Sequence, residues 1–409
     1  MSVAPRPAPI GAEEFRRRQQ AVAGDARDRG WDGLLIWSSC GSALDSFGNV
    51  FYLTNHYSPV PRVNVDIPPF MTGWGQTAAL VEPDGKVTLV SENPDYRHDL
   101  VVADRVRYSR DLYAETAAAL VDAGLAGGRV GLAGASCLPL AAWQVLRERL
   151  PNAEFEPADD VLFRRRALKS PAERDWMRHA CAVGCEIQNR MLALAAPGRT
   201  DNDLALEGYR TCCEYGAVPW DFAFASGPAS GHGYWCRLPP WDRTRPYQPG
   251  DLIHPDAYGC VEGYFYDLQR SLIVGGNPPP RLRWLLEGVV GVVEALCAAC
   301  RPGATAGDVA RLRGAWLEEY GYRDPSSPGS PTGSDLMEPL IACGHGLGLG
   351  FELPWIDTSS DWTLEPSMTI ALEVYLSEPG IGTVAFEHVV LVTDDEPEIL
   401  TLACPSRWW

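Results

Sequence analysis

Short apolar runs and helical stretches alternate along the first 160 residues of the chain. Glu13 to Asp28 reads as a helix, Gly33–Trp37 as a short buried strand, and Phe51–Leu53 begins another apolar element. Gln76–Val81 and Lys86–Ser91 flank Pro83-Asp84-Gly85, which predicts a hairpin. Ala114–Ala123 reads as helix, Arg129–Leu132 as a strand before a small-residue turn, and Ala141–Arg149 as helix again. This alternation predicts an α/β domain over residues 1–165. The first 11 residues, rich in Pro and Ala, read as a loose arm.

The seam falls in FRRRALKSPAERDW, residues 163–176. Ser170 is placed to cap a helix that has Pro171 at its first position and Glu173 at its third. That helix runs to about Leu194 before Pro197-Gly198 breaks it, and Thr200 with Asp203 starts the next. From residue 221 the pattern changes. Segments 251–256, 263–274, 368–377 and 383–393 are strand-like, and helices over roughly 281–299 and 306–319 lie between them. A second domain over 166–409 therefore reads as α+β, a mixed, mainly antiparallel sheet covered by helices. RDPSSPGSPTGS at 323–334 reads as a polar loop, and Asp394, Asp395 and Glu396 as a solvated acidic turn.

Charge and composition narrow the function classes. The 409 residues carry 35 Lys plus Arg and 53 Asp plus Glu, a formal charge of −18. Such an excess disfavours nucleic acid and anionic membrane surfaces as partners. At 46% hydrophobic residues the chain is too apolar to be disordered. The twelve cysteines are too few for a disulfide scaffold. Cys297 and Cys300 form a C-x-x-C pair and Cys212 and Cys213 are adjacent, but no second pair completes a zinc site, so they read as buried thiols. Neither a signal segment nor an 18-residue apolar run is evident, which predicts a soluble cytoplasmic protein.

Five residues carry candidate chemistry: Asp256, Asp267, His345, Glu373 and Glu387. Asp256 follows LIHP, Asp267 sits in GYFYDLQRSLIVG, Glu373 interrupts MTIALEVYL, and Glu387 lies in TVAFEHVVLV. Carboxylates in such apolar strands are costly unless a cation or strong hydrogen bonds compensate them. Four together repel one another unless metal ions collect the charge. One imidazole and four carboxylates suit two divalent ions such as Mn, Co, Fe or Zn.

In order and spacing the set resembles the ligands of the M24 metallopeptidases. This pita-bread-fold family includes methionine aminopeptidase, Xaa-Pro aminopeptidase and Xaa-Pro dipeptidase; creatinase shares the fold without the metals. The resemblance covers most of the chain. It rests on LKSPAERDW at 168–176, GDLIHPDAYGCVEGYFYDLQRS, GHGLG at 344–348, Met368 to Glu373, and Phe386-Glu387 with VLVTDDEPEILT. It implies a creatinase-like N-terminal domain, a homodimer and a pair of divalent ions. It also implies that Asp267 and Glu387 touch both ions, Asp256 holds one, and His345 with Glu373 holds the other. Glu373 would in addition shuttle a proton, and Arg270 would support the ligands from behind.

Two features depart from the family pattern. Family peptidases usually continue H-G-x-G-x-x-x-H-E-x-P, whereas this chain reads His345-Gly-Leu-Gly-Leu-Gly-Phe351-Glu352-Leu-Pro354. One position is missing and there is no second histidine. The other usual histidine falls in the neighbourhood of Cys236 to Pro240, which holds none; the nearest before it is His232. His232 is therefore a candidate catalytic residue. His254 shares the strand face of Asp256. Candidate substrate contacts are Tyr52 and His56 from a partner subunit, together with Tyr234, Trp235, Arg237, His254, Phe351 and Glu352. The shortened loop also resembles the lyases of this fold that cleave dimethylsulfoniopropionate. The acidic base of those lyases is Phe351 here and their tyrosine is Leu340. The leading expectation is a dinuclear metallohydrolase cleaving an amide bond in a small molecule or dipeptide of the Xaa-Pro kind. A metal-dependent lyase and a non-enzymatic binding protein are the alternatives.

Overall fold

The computed structural model describes residues 3–40, 46–62, 66–68, 70–231, 237–319, 342–378 and 380–409. Two compact units emerge: Pro9–Arg166, and residues 3–8 together with Ala167–Trp409.

In the first unit the elements are α1 (Ala12–Asp28), β1 (Gly33–Ser39), α2 (Gly48–Thr54), β2 (Gln76–Val81), β3 (Val87–Ser91) and β4 (Arg105–Tyr108), then α3 (Leu112–Asp122), β5 (Arg129–Ala133), α4 (Leu140–Arg149), β6 (Glu154–Pro157) and α5 (Asp159–Ala167). The sheet order is β4-β3-β2-β1-β5-β6. The β1–β2 and β2–β3 ladders are antiparallel and the remaining three parallel, so this sheet is mixed. Leu35, Trp37, Leu80 and Val90 pack with Leu120 of α3 and Leu146 of α4 in its core. Each such side chain contributes about 1.5–3 kcal/mol on burial. The apolar run at Phe51–Leu53 belongs to α2, which ends at Asn55 in the left-handed region (φ 55°).

The second unit holds α6 (Pro171–Ala193), α7 (Asp201–Tyr215), β7 (Val218–Ser226), β8 (Leu252–Val261), β9 (Tyr264–Gln269) and β10 (Leu272–Ile273), followed by α8 (Pro280–Ala299), α9 (Ala306–Glu319), β11 (Gly344–Leu347), β12 (Phe351–Trp355), β13 (Thr369–Glu378), β14 (Gly382–Leu391) and β15 (Glu398–Ile399). Both predicted capping boxes form. The Ser170 hydroxyl accepts from Glu173 N–H while the Glu173 carboxylate accepts from Ser170 N–H, and Thr200 and Asp203 repeat the exchange. One sheet runs β10-β8-β7 with β9 also on β8; the other runs β12-β11-β13-β14-β15. The ladders of the described strands in this unit are antiparallel, and a parallel bridge joins Leu272 of β10 to Trp408, so the mixed, mainly antiparallel arrangement expected here is present.

Side chains alternate across a strand, which gives each sheet a helix-covered face and an opposite face. Leu372, Val374 and Leu376 of β13, with Val384, Phe386 and Val390 of β14, join the core built by α8 and α9. Glu373 and Glu387, paired in register, point the other way. The N-terminal arm is not loose: Arg6 pairs with Glu262, and Trp176 Nε1 donates to the Ala8 carbonyl at 3.2 Å. The 323–334 loop lies outside the described residues.

Candidate metal centre

Asp256 and Asp267 reach one face of their sheet by register. Asp267 stands opposite Tyr258, two residues beyond Asp256, so all three side chains share a face. His345 stands opposite Ala371, which shares the face of Glu373, and Glu373 stands opposite Glu387. Ligand atoms of Asp267, His345 and Glu387 lie within 4.8 Å of one another. His345 Nε2 is 3.6 Å from Asp267 Oδ2. Asp256, Asp267, His345 and Glu387 are each no more than 6% exposed, and Glu373 is half-buried.

The electrostatics of this cluster call for a cation. Both carboxylate oxygens of Glu387 are buried with no hydrogen-bond partner among the described residues. Burial pushes the Glu387 carboxyl well above its ordinary range, and the charges of Asp267, Glu373 and Asp256 push it further. Asp267 is raised in the same way, by burial first and then by Asp256 and Glu373. Burial lifts Glu373 to about 7, against the pull of the Tyr375 hydroxyl and the Arg313 charge. Burial lowers His345 to about 4, so its ring is neutral near pH 7. His345 Nδ1 lies 3.0 Å from the Gly346 carbonyl. That contact selects the tautomer with the proton on Nδ1 and leaves the Nε2 lone pair facing the carboxylates. A neutral imidazole beside clustered, buried carboxylates, with both Glu387 oxygens lacking a partner among the described residues, fits a divalent metal ion.

Arg270 is fully buried. It donates to the carbonyls of Gln269 at 2.8 Å, Pro405 at 3.0 Å, Cys404 at 3.1 Å and Glu387, and its guanidinium lies 4.4 Å from the Phe386 ring centre. It thus grips the backbone that carries Glu387 rather than the carboxylate itself.

Four of the expected substrate contacts are placed in the packing. His254 is fully buried, its Nδ1 3.1 Å from the Thr383 carbonyl. Glu352 pairs with Lys169 at 2.9 Å, the two side chains 1% and 2% exposed, and accepts from Leu349 N–H at 3.0 Å. Its carboxylate is therefore held inside the protein. Tyr52 is buried in the first unit under the Arg18 guanidinium, 4.3 Å away. His56 is buried in the same unit and lowered to about 4 by that burial. Phe351 remains accessible at 42%, its ring 4.2 Å from that of His345. Arg237 is exposed, and His232, Tyr234 and Trp235 lie outside the described residues.

Sequence reasoning missed Lys169, Arg313 and Trp355. The Trp355 ring meets that of His345 edge-on, centres 5.5 Å apart. Arg313 falls on the buried stripe of α9 with Val309, Ala310 and Leu317, and a cation at that spacing was the available signal. Lys169 had none, because its partner lies 183 residues away.

The model of metallopeptidase family M24 matches residues 175–394, and that of the creatinase/prolidase N-terminal domain matches 18–168. The chain is 29% identical over 397 residues to a probable dipeptidase PepE of Mycobacterium tuberculosis, covering 94% of this chain and 93% of that one. It is 26% identical over 244 residues to the ectoine hydrolase of Halomonas elongata, 56% of each chain. In fold it matches the Xaa-Pro dipeptidase of Bacillus anthracis, with a TM-score of 0.73 and 22% identity over 96% of this chain and 98% of that one.

Proposed function

The chain belongs to metallopeptidase family M24, with a creatinase-like N-terminal domain and a pita-bread catalytic domain, and from that premise we propose that it uses two divalent ions to hydrolyse an amide bond in a small substrate. Xaa-Pro dipeptides are the first class to test. The observation that carries this reading is the pair of buried, unpartnered oxygens of Glu387 beside Asp267 and His345. Asp256, Asp267, His345, Glu373 and Glu387 would hold the ions, with Asp267 and Glu387 shared between them. When bound, the ions activate water and polarise the scissile carbonyl. Glu373 would in addition take up and hand on a proton at its carboxylate. Arg270 fixes the strand that presents Glu387. Burial of the cluster excludes bulk water and strengthens each of these interactions.

Manganese as one of the ions, a homodimeric assembly and a cytoplasmic location belong to the same proposal. The oxygen-rich donor set supports a hard or borderline ion. The described cysteines are all free thiols, as a reducing compartment would leave them. No described helix is long and apolar enough to cross a membrane.

A metal-dependent lyase on the same site is a second reading, favoured by one observation. The ring beside His345 is Phe351, which offers no hydrogen-bond donor to a tetrahedral intermediate. Products separate the two readings, because hydrolysis incorporates solvent oxygen and elimination leaves an alkene. The test is to add Mn, Co or Zn to metal-free protein and assay Xaa-Pro peptides with small cyclic and N-substituted amides. Hydrolysis of at least one is expected. Inactivity on all of them with two ions bound would overturn the hydrolase reading.

A further inference from the structure

We propose that Asp221, Trp220 and Tyr258 form a cation-accepting subsite beside the metal ligands, which takes a protonated amine or quaternary ammonium group of the substrate. The link to substrate rests on the hydrolase reading above; the binding claim does not.

The subsite follows from the β7–β8 ladder. Its register shifts between Pro219 and Asp221, which leaves Trp220 as an extra residue on the edge strand. Beyond the shift Asp221 stands opposite Tyr258 and Ala223 opposite Asp256, so Asp221 shares the face of the metal ligands. Such an irregularity re-aims a side chain. The Trp220 ring centre lies 5.5 Å from that of Tyr258 at 80° and 5.5 Å from that of Phe265 at 88°. It lies 5.1 Å from Phe351, whose ring packs on His345. Rings set nearly at right angles, with a carboxylate next to them, are the elements of a cage for an organic cation.

Among the described residues Asp221 has no counter-charge. It accepts one hydrogen bond, from the Phe222 N–H at 2.8 Å. No lysine, arginine or histidine pairs with it among the described residues. Burial raises its carboxyl above the ordinary value. Trp220, Asp221 and Tyr258 are all incompletely buried, which leaves the cage open to a ligand.

The experiment compares choline with dimethylbutanol, its uncharged carbon isostere, by calorimetric titration of the protein as purified. Wild type should bind choline at least about tenfold more tightly than the isostere, as a desolvated cation–π contact with a carboxylate requires. Asp221→Asn should abolish that preference, and Trp220→Leu should weaken both probes. A melting curve checks that each variant folds; should Asp221→Asn fail to fold, Tyr258→Leu replaces it and should weaken choline at least about tenfold. Equal affinity for the two probes, no binding of either, or a preference that survives Asp221→Asn would overturn the proposal. No turnover is measured, so failure here and failure of the hydrolase reading are separate results.

Discussion

Replacing Lys169 by methionine removes the cation that faces Glu352 from a nearly water-free setting. The Lys169 Nζ lies 2.9 Å from Glu352 Oε2, and the side chains are 2% and 1% exposed. The turn between His345 and Phe351 is built around this carboxylate. Leu349 N–H donates to it at 3.0 Å, and a Cβ added at Gly348 would meet it at 2.6 Å. Removing one partner of such a buried pair costs about 3–5 kcal/mol, chiefly because a charge stays buried without its counter-charge. For a domain of about 150–250 residues that lowers the melting temperature by about 6–20 °C. The assay is urea unfolding of Lys169→Met, Glu352→Gln and the double variant Lys169→Met/Glu352→Met. Each single variant should lose the full amount, and the double should lose clearly less than the two together, since no lone charge remains. Single losses below about 0.5 kcal/mol, or an additive double, would refute the reasoning.

Other outcomes follow from the same geometry. In metal-free protein the carboxyls of Asp267, Glu387 and Glu373 are raised, so the folded state keeps protons that the unfolded chain releases above about pH 4. Stability is then fully present below that pH and falls as pH rises, with the Glu373 share lost by about 7; melting curves that stay flat or rise over this window contradict it. Glu387→Ala should lose bound metal in a chelator competition, whereas Glu378→Ala should keep it, because Glu378 pairs with Arg281 at 2.6 Å on the outside of the unit. Gly346→Ala places a Cβ 2.4 Å from the Leu353 carbonyl and should destabilise by about 1–3 kcal/mol while weakening metal binding through the shifted His345. Unchanged melting and affinity would count against that packing argument.

Local signals were the legible ones. The Ser170–Glu173 and Thr200–Asp203 boxes, the β2–β3 hairpin and the long helices depend on neighbours a few residues apart, and each is where the pattern put it. The candidate cluster of Asp267, His345 and Glu387 was legible for a different reason: acids set inside apolar strands are costly without a cation to compensate them. What escaped was non-local or short. The half-exposed RVRY and EFEP strands carry no apolar run, and the register shift at Trp220 breaks the alternation that would have marked β7. The Lys169–Glu352 pair joins residues 183 apart, so no spacing rule reaches it. Glu352 and His254 looked like substrate contacts because they neighbour ligands in sequence, yet burial and internal partners hold both in the core.

The central claim is that the Asp256, Asp267, His345, Glu373 and Glu387 face exists to hold metal. Elemental analysis of natively purified protein, repeated on Glu387→Ala, tests it most directly. Two divalent ions per wild-type chain and a clear loss in the variant are predicted; a metal-free wild type that takes up none on titration, or a variant that binds as well as wild type, would contradict it.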